Sequence, residues 1–454
     1  MKKISREKFG SRFGVLMAMA GSAIGLGNMW RFPYLTAKNG GAAFIVIYLL
    51  LMLTISLPTM ITEYLIGRRS RSNAYSAYGR LGFPKLKFIG LMAIFAVVFV
   101  LSFYIVVGGW ATRYLVEACT LGFQSTATDY SGKFASFVSS TAYPLIYTFI
   151  FLSLTAVIIS GGVKKGIEAF SKIMMTVLFI IIILVAIHAI SLPGAMDGVK
   201  YLLVPDFSKV TGETWVTALG QSFFSLGLGC GTILVYGSYV KTEEDLSMSA
   251  IFTAFIDTGF AIVAGLAIIP AIFAIASMNG VEPNVDAGPG LVFITLPSIF
   301  ASMPFGSVIA ILFFLSLGLA AITSSISLLE SFVAYVMEVW NISRKKAVLF
   351  ASIICLCLGA FCSLSQGVLS DVRILGMNVF DFFDKASSNF FMTVSCLLML
   401  IFAGWFMKKE DFMDELTGRG LSKTPGWLQK LIYLLVKFIA PIGVLTIIIC
   451  NFFF

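Results

Sequence analysis

"AGSAIGLGN", residues 20–28, interrupts an apolar run long enough to cross a bilayer. Three glycines, a serine and an asparagine stand where hydrocarbon favours leucine, and glycine loosens a helix by roughly 1 kcal/mol per residue relative to alanine. Backbone N–H and C=O groups released by an unwound stretch cost several kcal/mol each in lipid unless something pairs with them. A second interruption has the same make-up. In "QSFFSLGLGCGTILVYGSY" (221–239), Gly227, Gly229 and Gly231 sit at the centre of another apolar segment.

The 454 residues around these breaks are 58% apolar and 12% charged, with a mean hydropathy of +0.95. That composition is that of a polytopic, all-α membrane protein. Windows of about 20 apolar residues predict eleven membrane segments near 13–37, 41–67, 88–119, 142–160, 168–190, 214–239, 247–278, 305–340, 346–363, 375–406 and 428–451. Segment 1 is too long and too polar for a leader and is read as a retained span. Most of the 32 Lys and Arg residues fall in six short stretches that share one side when the N-terminus is cytoplasmic. Among them are Lys2, Lys3, Arg6, Arg68, Arg69, Arg71, Arg344, Lys408, Arg419 and Lys423. The net charge of +9 is thereby a matter of topology and calls for no nucleic acid; eleven segments place the C-terminus outside.

The seven cysteines suggest no disulfide and no metal site. The single histidine, His188, reads as a satisfied polar residue near the outer end of its segment, with a proton-linked role as the alternative.

The breaks fall in segments 1 and 6, the first members of two sets of five. Five is odd, so the second set enters the membrane from the opposite side, giving an inverted repeat with broken helices facing each other at mid-membrane. A single domain (1–454) is expected, with repeats at 11–190 and 214–406 and an eleventh helix at 427–454. The other reading of Gly21 and Gly25 is close helix packing of the small-xxx-small kind. Segment 8 adds "GLAAITSSISLLE" (318–330), where Thr323, Ser324 and Ser325 are adjacent. Hydroxyls like these often bond their own helix, but beside two unwound helices they suit a hard cation.

"GSAIGLGNMWRFPYLTAKNGGAAF" (21–44), "LPTMITEYLIGR" (57–68), "GPGLVFITLP" (288–297) and "AAITSSISLLE" (320–330) closely resemble the neurotransmitter:sodium symporter family, above all its bacterial eleven-span amino-acid transporters. The resemblance runs over the whole chain with the motifs in the family's order. It implies a five-plus-five inverted repeat, discontinuous helices 1 and 6, and import of an L-amino acid coupled to sodium, with no organic cofactor and no obligate protein partner expected.

By the same resemblance, one sodium would be held by Ala23, Asn28, Ser225 and Asp257, the last an asparagine in many relatives. A second would be held by Gly21, Ile24, Ala320, Thr323 and Ser324. Asp257 would supply the negative charge that chloride brings elsewhere, in a region that includes Tyr48 and Gln221, with Ala261 where some bacterial relatives carry glutamate. Transport is therefore expected to be chloride-independent, and Asp257 to be a candidate for proton exchange. The substrate carboxylate would meet Leu26, Gly27 and Tyr104, and its amine the carbonyls of Ala23, Phe224 and Ser225. Gly25, an aspartate in amine-selective members, argues for an amino acid.

Val100, Tyr104, Phe224, Gly227, Cys230, Ser324 and Leu328 would surround the substrate side chain. Gly227 and Cys230 replace bulkier residues of a leucine-selective bacterial member, which points to a large hydrophobic or aromatic substrate. Arg31 and Asp384 would form an outer gate above Tyr104 and Phe224. Arg6, Phe9, Tyr239 and Glu338 would close the inner side. Glu63 and Glu330, also at membrane depth, read at least as well as structural groups. Another zwitterion, an amine, or a slow-transporting sensor remain the alternatives, and a bacterial plasma membrane the expected location. An intramembrane enzyme is disfavoured, since the chain has no histidine cluster, HExxH or suitable GxSxG; a channel is disfavoured by the aromatics around one central site.

Overall fold

The computed structural model describes residues 7–283, 290–418 and 424–453. Lys2, Lys3, Arg6, Arg419, Lys423 and the first two residues of the 288–297 motif lie outside them. Among the described residues the chain is helical, with one isolated bridge between Ile374 and Met377 in place of any strand.

Among the described residues nine helices are long and apolar enough to cross a membrane. They are Ala42–Ser70, Pro84–Cys119, Ala142–Ser160, Val163–Ser191, Leu246–Asn279, Gly306–Trp340, Arg344–Leu364, Val379–Phe406 and Gly426–Asn451. These are the expected segments 2–5 and 7–11. Segment 1 is a pair, Arg12–Ala23 and Gly27–Lys38, bent by 57° at the glycine-rich break. Segment 6 is also split, into Gly212–Ser225 and Thr232–Tyr239. Helices outside the expected segments include Tyr130–Ser139, Ala195–Leu203 and Leu291–Ser302.

Local chemistry sets the ends of these helices. Ser11 accepts from the Gly14 N–H at 3.1 Å, Asp245 from Met248 at 3.1 Å, and Asn378 from Asp381 at 2.8 Å. Each pairs a donor that the first turn cannot pair itself. Thr211 and Thr214 cap one another at the start of segment 6.

Burial divides the helices into an inner and an outer group. In segment 3, 78% of the most apolar window is buried inside the protein, against 33% in segments 4 and 11. The outer helices turn Phe149, Val157, Ile187, Leu349, Ile353 and Ile442 outward, as lipid-facing surfaces do. Segment 3 makes its most extensive contact with segment 8, and segment 2 with the second half of segment 6. That last contact is backbone on backbone: a Cβ at Gly67 would strike Leu234, and one at Gly237 would strike Tyr64. The shorter half of segment 6 is thus held firmly although it has only eight residues.

Candidate functional site

The helix Arg12–Ala23 ends when Ile24 swings to φ −71°, ψ 111°. The freed groups do not go unpaired. Gly25 N–H donates to Asn28 Oδ1 at 3.1 Å, and Leu26 N–H donates to the Tyr104 hydroxyl at 3.3 Å. The carbonyls of Gly21 and Ile24 accept from Ser324 Oγ at 3.4 and 2.9 Å. The segment 6 break works through its glycines, with φ of +63° at Gly227, +83° at Gly229 and +69° at Gly231. Glycine visits that region without steric cost. Glu63, from segment 2, accepts the Gly231 N–H on Oε1 at 3.1 Å, leaving Oε2 buried with no partner.

Between the two breaks the structure brings Asn28, Ser225 and Asp257 together. Asn28 Nδ2 donates to Asp257 Oδ1 at 2.8 Å and to Ser225 Oγ at 3.0 Å, while Ser225 Oγ donates to Asp257 Oδ2 at 2.7 Å. Asp257 is fully buried, and among the described residues no Lys or Arg is bonded to it. A buried carboxylate without a cation is costly, so this triad is suited to a bound positive ion. Tyr48 lies beside Asp257, Ser225 and Thr258. The hydroxyls of Tyr48 and Thr258, and Oε1 of Gln221, are buried without hydrogen-bond partners among the described residues. Gln221 Nε2 reaches the Gly27 carbonyl at 3.3 Å, and Ala261 is fully buried.

A second oxygen set lies where segment 8 crosses segment 1. Besides clasping Gly21 and Ile24 through Ser324, segment 8 places Thr323 Oγ 3.0 Å from the Ala320 carbonyl. All five expected groups meet there, and all are neutral oxygens of the kind hard cations take. Ser325 does not join them. It turns the other way, 2.8 Å from Thr155 and 2.9 Å from the Ile322 carbonyl. Among the described residues no cluster of three or more His, Cys, Asp or Glu could hold a metal.

Beside both sets lies a small cavity of about 50 Å³. Ala23, Gly25, Leu26, Gly27, Val100, Tyr104, Phe224, Ser225, Gly227, Cys230, Ser324 and Leu328 all line it, as the sequence led us to expect for a substrate pocket. Thr232, Ser327 and Met392 line it too, and the sequence reading had missed them. Thr232 looks from sequence like the start of an apolar half-helix, and Met392 lies on segment 10, which carried only the gate residue in that reading. A cavity of about 150 Å³ is known to accept benzene; this one needs its walls to move for an aromatic ring, and Met392, unbranched and flexible, is the most adaptable of them.

The molecule's two ends differ. Above Tyr104 and Phe224, which line both spaces, opens a vestibule of about 590 Å³ reached by Arg31 and Asp384. These two do not come within the 4.0 Å of an ion pair; the Arg31 guanidinium instead sits 4.4 Å over the Phe224 ring. The expected outer pair is therefore unmade in this conformation, with the Arg31 guanidinium engaged by the Phe224 ring.

The opposite end is packed. Arg344 bonds both oxygens of Glu330, at 2.7 and 3.0 Å, and also Glu7 at 3.0 Å. Tyr239 donates to Glu330 Oε1 at 2.5 Å, and Phe9 stacks edge-on against Tyr236 and Tyr239. Of the expected inner group, Phe9 and Tyr239 take part, and Arg6 lies outside the described residues. Glu338 accepts from Ser72 at 3.1 Å and Asn73 Nδ2 at 2.9 Å, with Arg80 at 3.6 Å. Its longer side chain lets it reach the Ser72–Asn73 turn. His188, read from sequence as a satisfied polar residue, is half-buried in the last turn of its helix, with Nε2 unpartnered among the described residues.

The profile of the Sodium:neurotransmitter symporter family matches residues 6–133 and 133–453. An uncharacterized sodium-dependent transporter of Bacillus subtilis, YhdH, is 36% identical over 97% of this chain and 96% of its own length. One from Haemophilus influenzae is 35% identical over 99% and 98%. The creatine transporter of Torpedo marmorata is 25% identical over 99% of this chain and 79% of its own. Among solved structures, MhsT in complex with L-phenylalanine superimposes with a TM-score of 0.88 at 40% identity, covering 99% of this chain and 100% of that one. Two broken helices around one small cavity, an all-helical membrane fold and matches along nearly the full length lead to one conclusion: this chain belongs to the sodium:neurotransmitter symporter family, a family of membrane transporters with an inverted-repeat helical fold.

Proposed function

We propose that the protein imports a hydrophobic or aromatic L-amino acid together with sodium, probing one central site alternately from each side. The observation that carries this reading is the placement of two oxygen sets against one cavity. Asn28, Ser225 and Asp257 form one, Gly21, Ile24, Ala320, Thr323 and Ser324 the other, and two sodium ions account for both. The substrate carboxylate takes the space beside Leu26, Gly27 and Tyr104. Gly25 supports an amino acid over an amine: a Cβ there would meet Ser324 Oγ at 2.5 Å and the Tyr104 hydroxyl at 2.8 Å, so an anchoring aspartate has no room.

Asp257 supports chloride independence, since it supplies a fixed negative charge beside the Tyr48 and Gln221 region. Segment 6 counts as one span, which makes eleven, with repeats at 11–190 and 214–406. The N-terminus then lies in the cytoplasm of a bacterial cell, the Arg31 and Asp384 end faces outward, and the C-terminus is outside. In the transport cycle, substrate passes Arg31, Tyr104 and Phe224, and release requires the Glu7–Arg344–Glu330–Tyr239 network to open. Creatine transport is a property of the named relative, and L-phenylalanine binding one of MhsT; the near-full coverage by MhsT makes the amino-acid reading the better founded.

The experiment is uptake into proteoliposomes. Saturable amino-acid accumulation that requires a sodium gradient and persists with gluconate in place of chloride supports the reading. Accumulation without sodium contradicts it.

A further inference from the structure

Resting on the amino-acid reading above, we propose that Thr232 is a specificity-determining residue. Its hydroxyl hydrogen-bonds a polar atom at the far end of the substrate side chain, so that an aromatic amino acid carrying a phenolic hydroxyl or an indole N–H is favoured over a purely hydrocarbon one.

Several threonine hydroxyls in other helices find an outlet in the turn before them, whereas those of Thr36 and Thr258 are buried without a partner among the described residues. Thr59 donates to Ile55, Thr62 to Pro58, Thr148 to Pro144 and Thr253 to Ser249, all to carbonyls at 2.7–2.9 Å. Thr232 has no such turn. It is the first residue of its half-helix, preceded by Gly231 at φ +69° and by the unwound stretch of segment 6. It is 3% exposed and lines the central cavity, and its hydroxyl is bonded to no described residue. A hydroxyl at the wall of a cavity in that condition is left for a ligand or a water to pair with.

The direction of the group follows from Gly227. A Cβ built on Gly227 meets one atom within 4 Å, the Thr232 hydroxyl oxygen at 4.0 Å. The space left by the absent side chain at Gly227 therefore ends on that hydroxyl. Val100, Cys230, Leu328 and Met392 supply apolar walls around it. Ser327, whose hydroxyl donates to the Ser324 carbonyl at 2.8 Å, has its lone pairs left to accept. An apolar slot ending on one unpaired hydroxyl discriminates at the tip of the side chain, because a hydrocarbon tip leaves that hydroxyl unpaired.

The test is sodium-dependent binding of tyrosine, tryptophan and phenylalanine to the purified full chain, by calorimetry, for wild type, Thr232→Val and Thr232→Ser. Tyrosine and phenylalanine differ only in the hydroxyl, so the ratio of their affinities is the readout, whatever each variant does to absolute affinity. Thr232→Val should lower the tyrosine-to-phenylalanine ratio about tenfold, and Thr232→Ser should hold it within about twofold of wild type. An unmoved ratio in Thr232→Val overturns the proposal, as does a serine variant that loses the ratio as fully as valine. Wild type alone gives a second test that needs no variant: the proposal fails if neither tyrosine nor tryptophan binds more tightly than phenylalanine. Wild type that binds no amino acid with sodium present sinks the amino-acid reading itself, whereas ordinary binding with an indifferent ratio removes only the role of Thr232.

Discussion

The two oxygen sets that flank the cavity are made of opposite materials. The one around Asp257 is built on a full charge, fully buried, satisfied by an amide and a hydroxyl and by no cationic side chain. The one around Ser324 is neutral throughout: carbonyls that an unwound turn has freed, and two hydroxyls from a helix that stays intact. A charged set holds its ion through a field that removal of one group abolishes. A neutral set holds it by position, so its strength depends on how segments 1 and 8 lie together. The first is thus suited to binding substrate and ion as one unit, the second to sensing which arrangement the helices have adopted.

Removing the charge should have the largest effect. Asp257→Ala leaves Asn28 and Ser225 with unpaired groups in the core, a loss of the size that breaking a buried charged network brings, about 3 kcal/mol or more. Sodium-driven uptake should fall at least about a hundredfold. Asp257→Asn keeps hydrogen bonds but loses the charge, and its residual uptake should become dependent on external chloride; uptake equal with chloride and gluconate would erase the distinction between the two sets.

Next in size is Ser324→Ala, which removes the hydroxyl that clasps both Gly21 and Ile24. Half-saturation for sodium should rise about tenfold, the equivalent of one lost hydrogen-bonding ligand. Its neighbour provides the control. Ser325→Ala touches Thr155 and its own helix, so sodium half-saturation should stay within about twofold of wild type. Equal shifts in the two variants would show that position along the helix, not contact with segment 1, is what matters.

Much of this was legible in the sequence. Glycines at every second position from 227 to 231 announce a break because no other residue takes three positive φ values so cheaply, and Asn28, Ser225 and Asp257 were grouped through the family resemblance. What was hidden depends on pairings between distant places in the chain. Glu330 and Arg344 lie on different helices on either side of a turn, and nothing local marks them as partners of Glu7 and Tyr239. The split of Thr323 and Ser324 from Ser325 follows from helical rotation, yet which face meets segment 1 is fixed only by packing. Thr232 looks unremarkable until its missing preceding turn is seen in three dimensions.

The difference between the molecule's two ends yields a smaller pair of effects. Arg344→Gln weakens the Glu330 and Glu7 bridges, and a cysteine placed near Tyr239 should be labelled by a reagent added on that side of the membrane several times faster than in wild type, since partly buried bridges are worth more than exposed ones. Arg31→Gln removes a cation from the face of Phe224, an interaction of about 1 kcal/mol. Substrate dissociation should speed up by about fivefold or less; a hundredfold change would mean that Arg31 does far more than cover the pocket.

The most direct measurement is amino-acid binding to purified protein with sodium as the only varied ion. Binding that appears with sodium, is absent in potassium at equal ionic strength, and is lost in Asp257→Ala is the predicted result. Equal binding in both salts, or binding by Asp257→Ala that matches wild type, would contradict a site in which two unwound helices are completed by sodium and an amino acid.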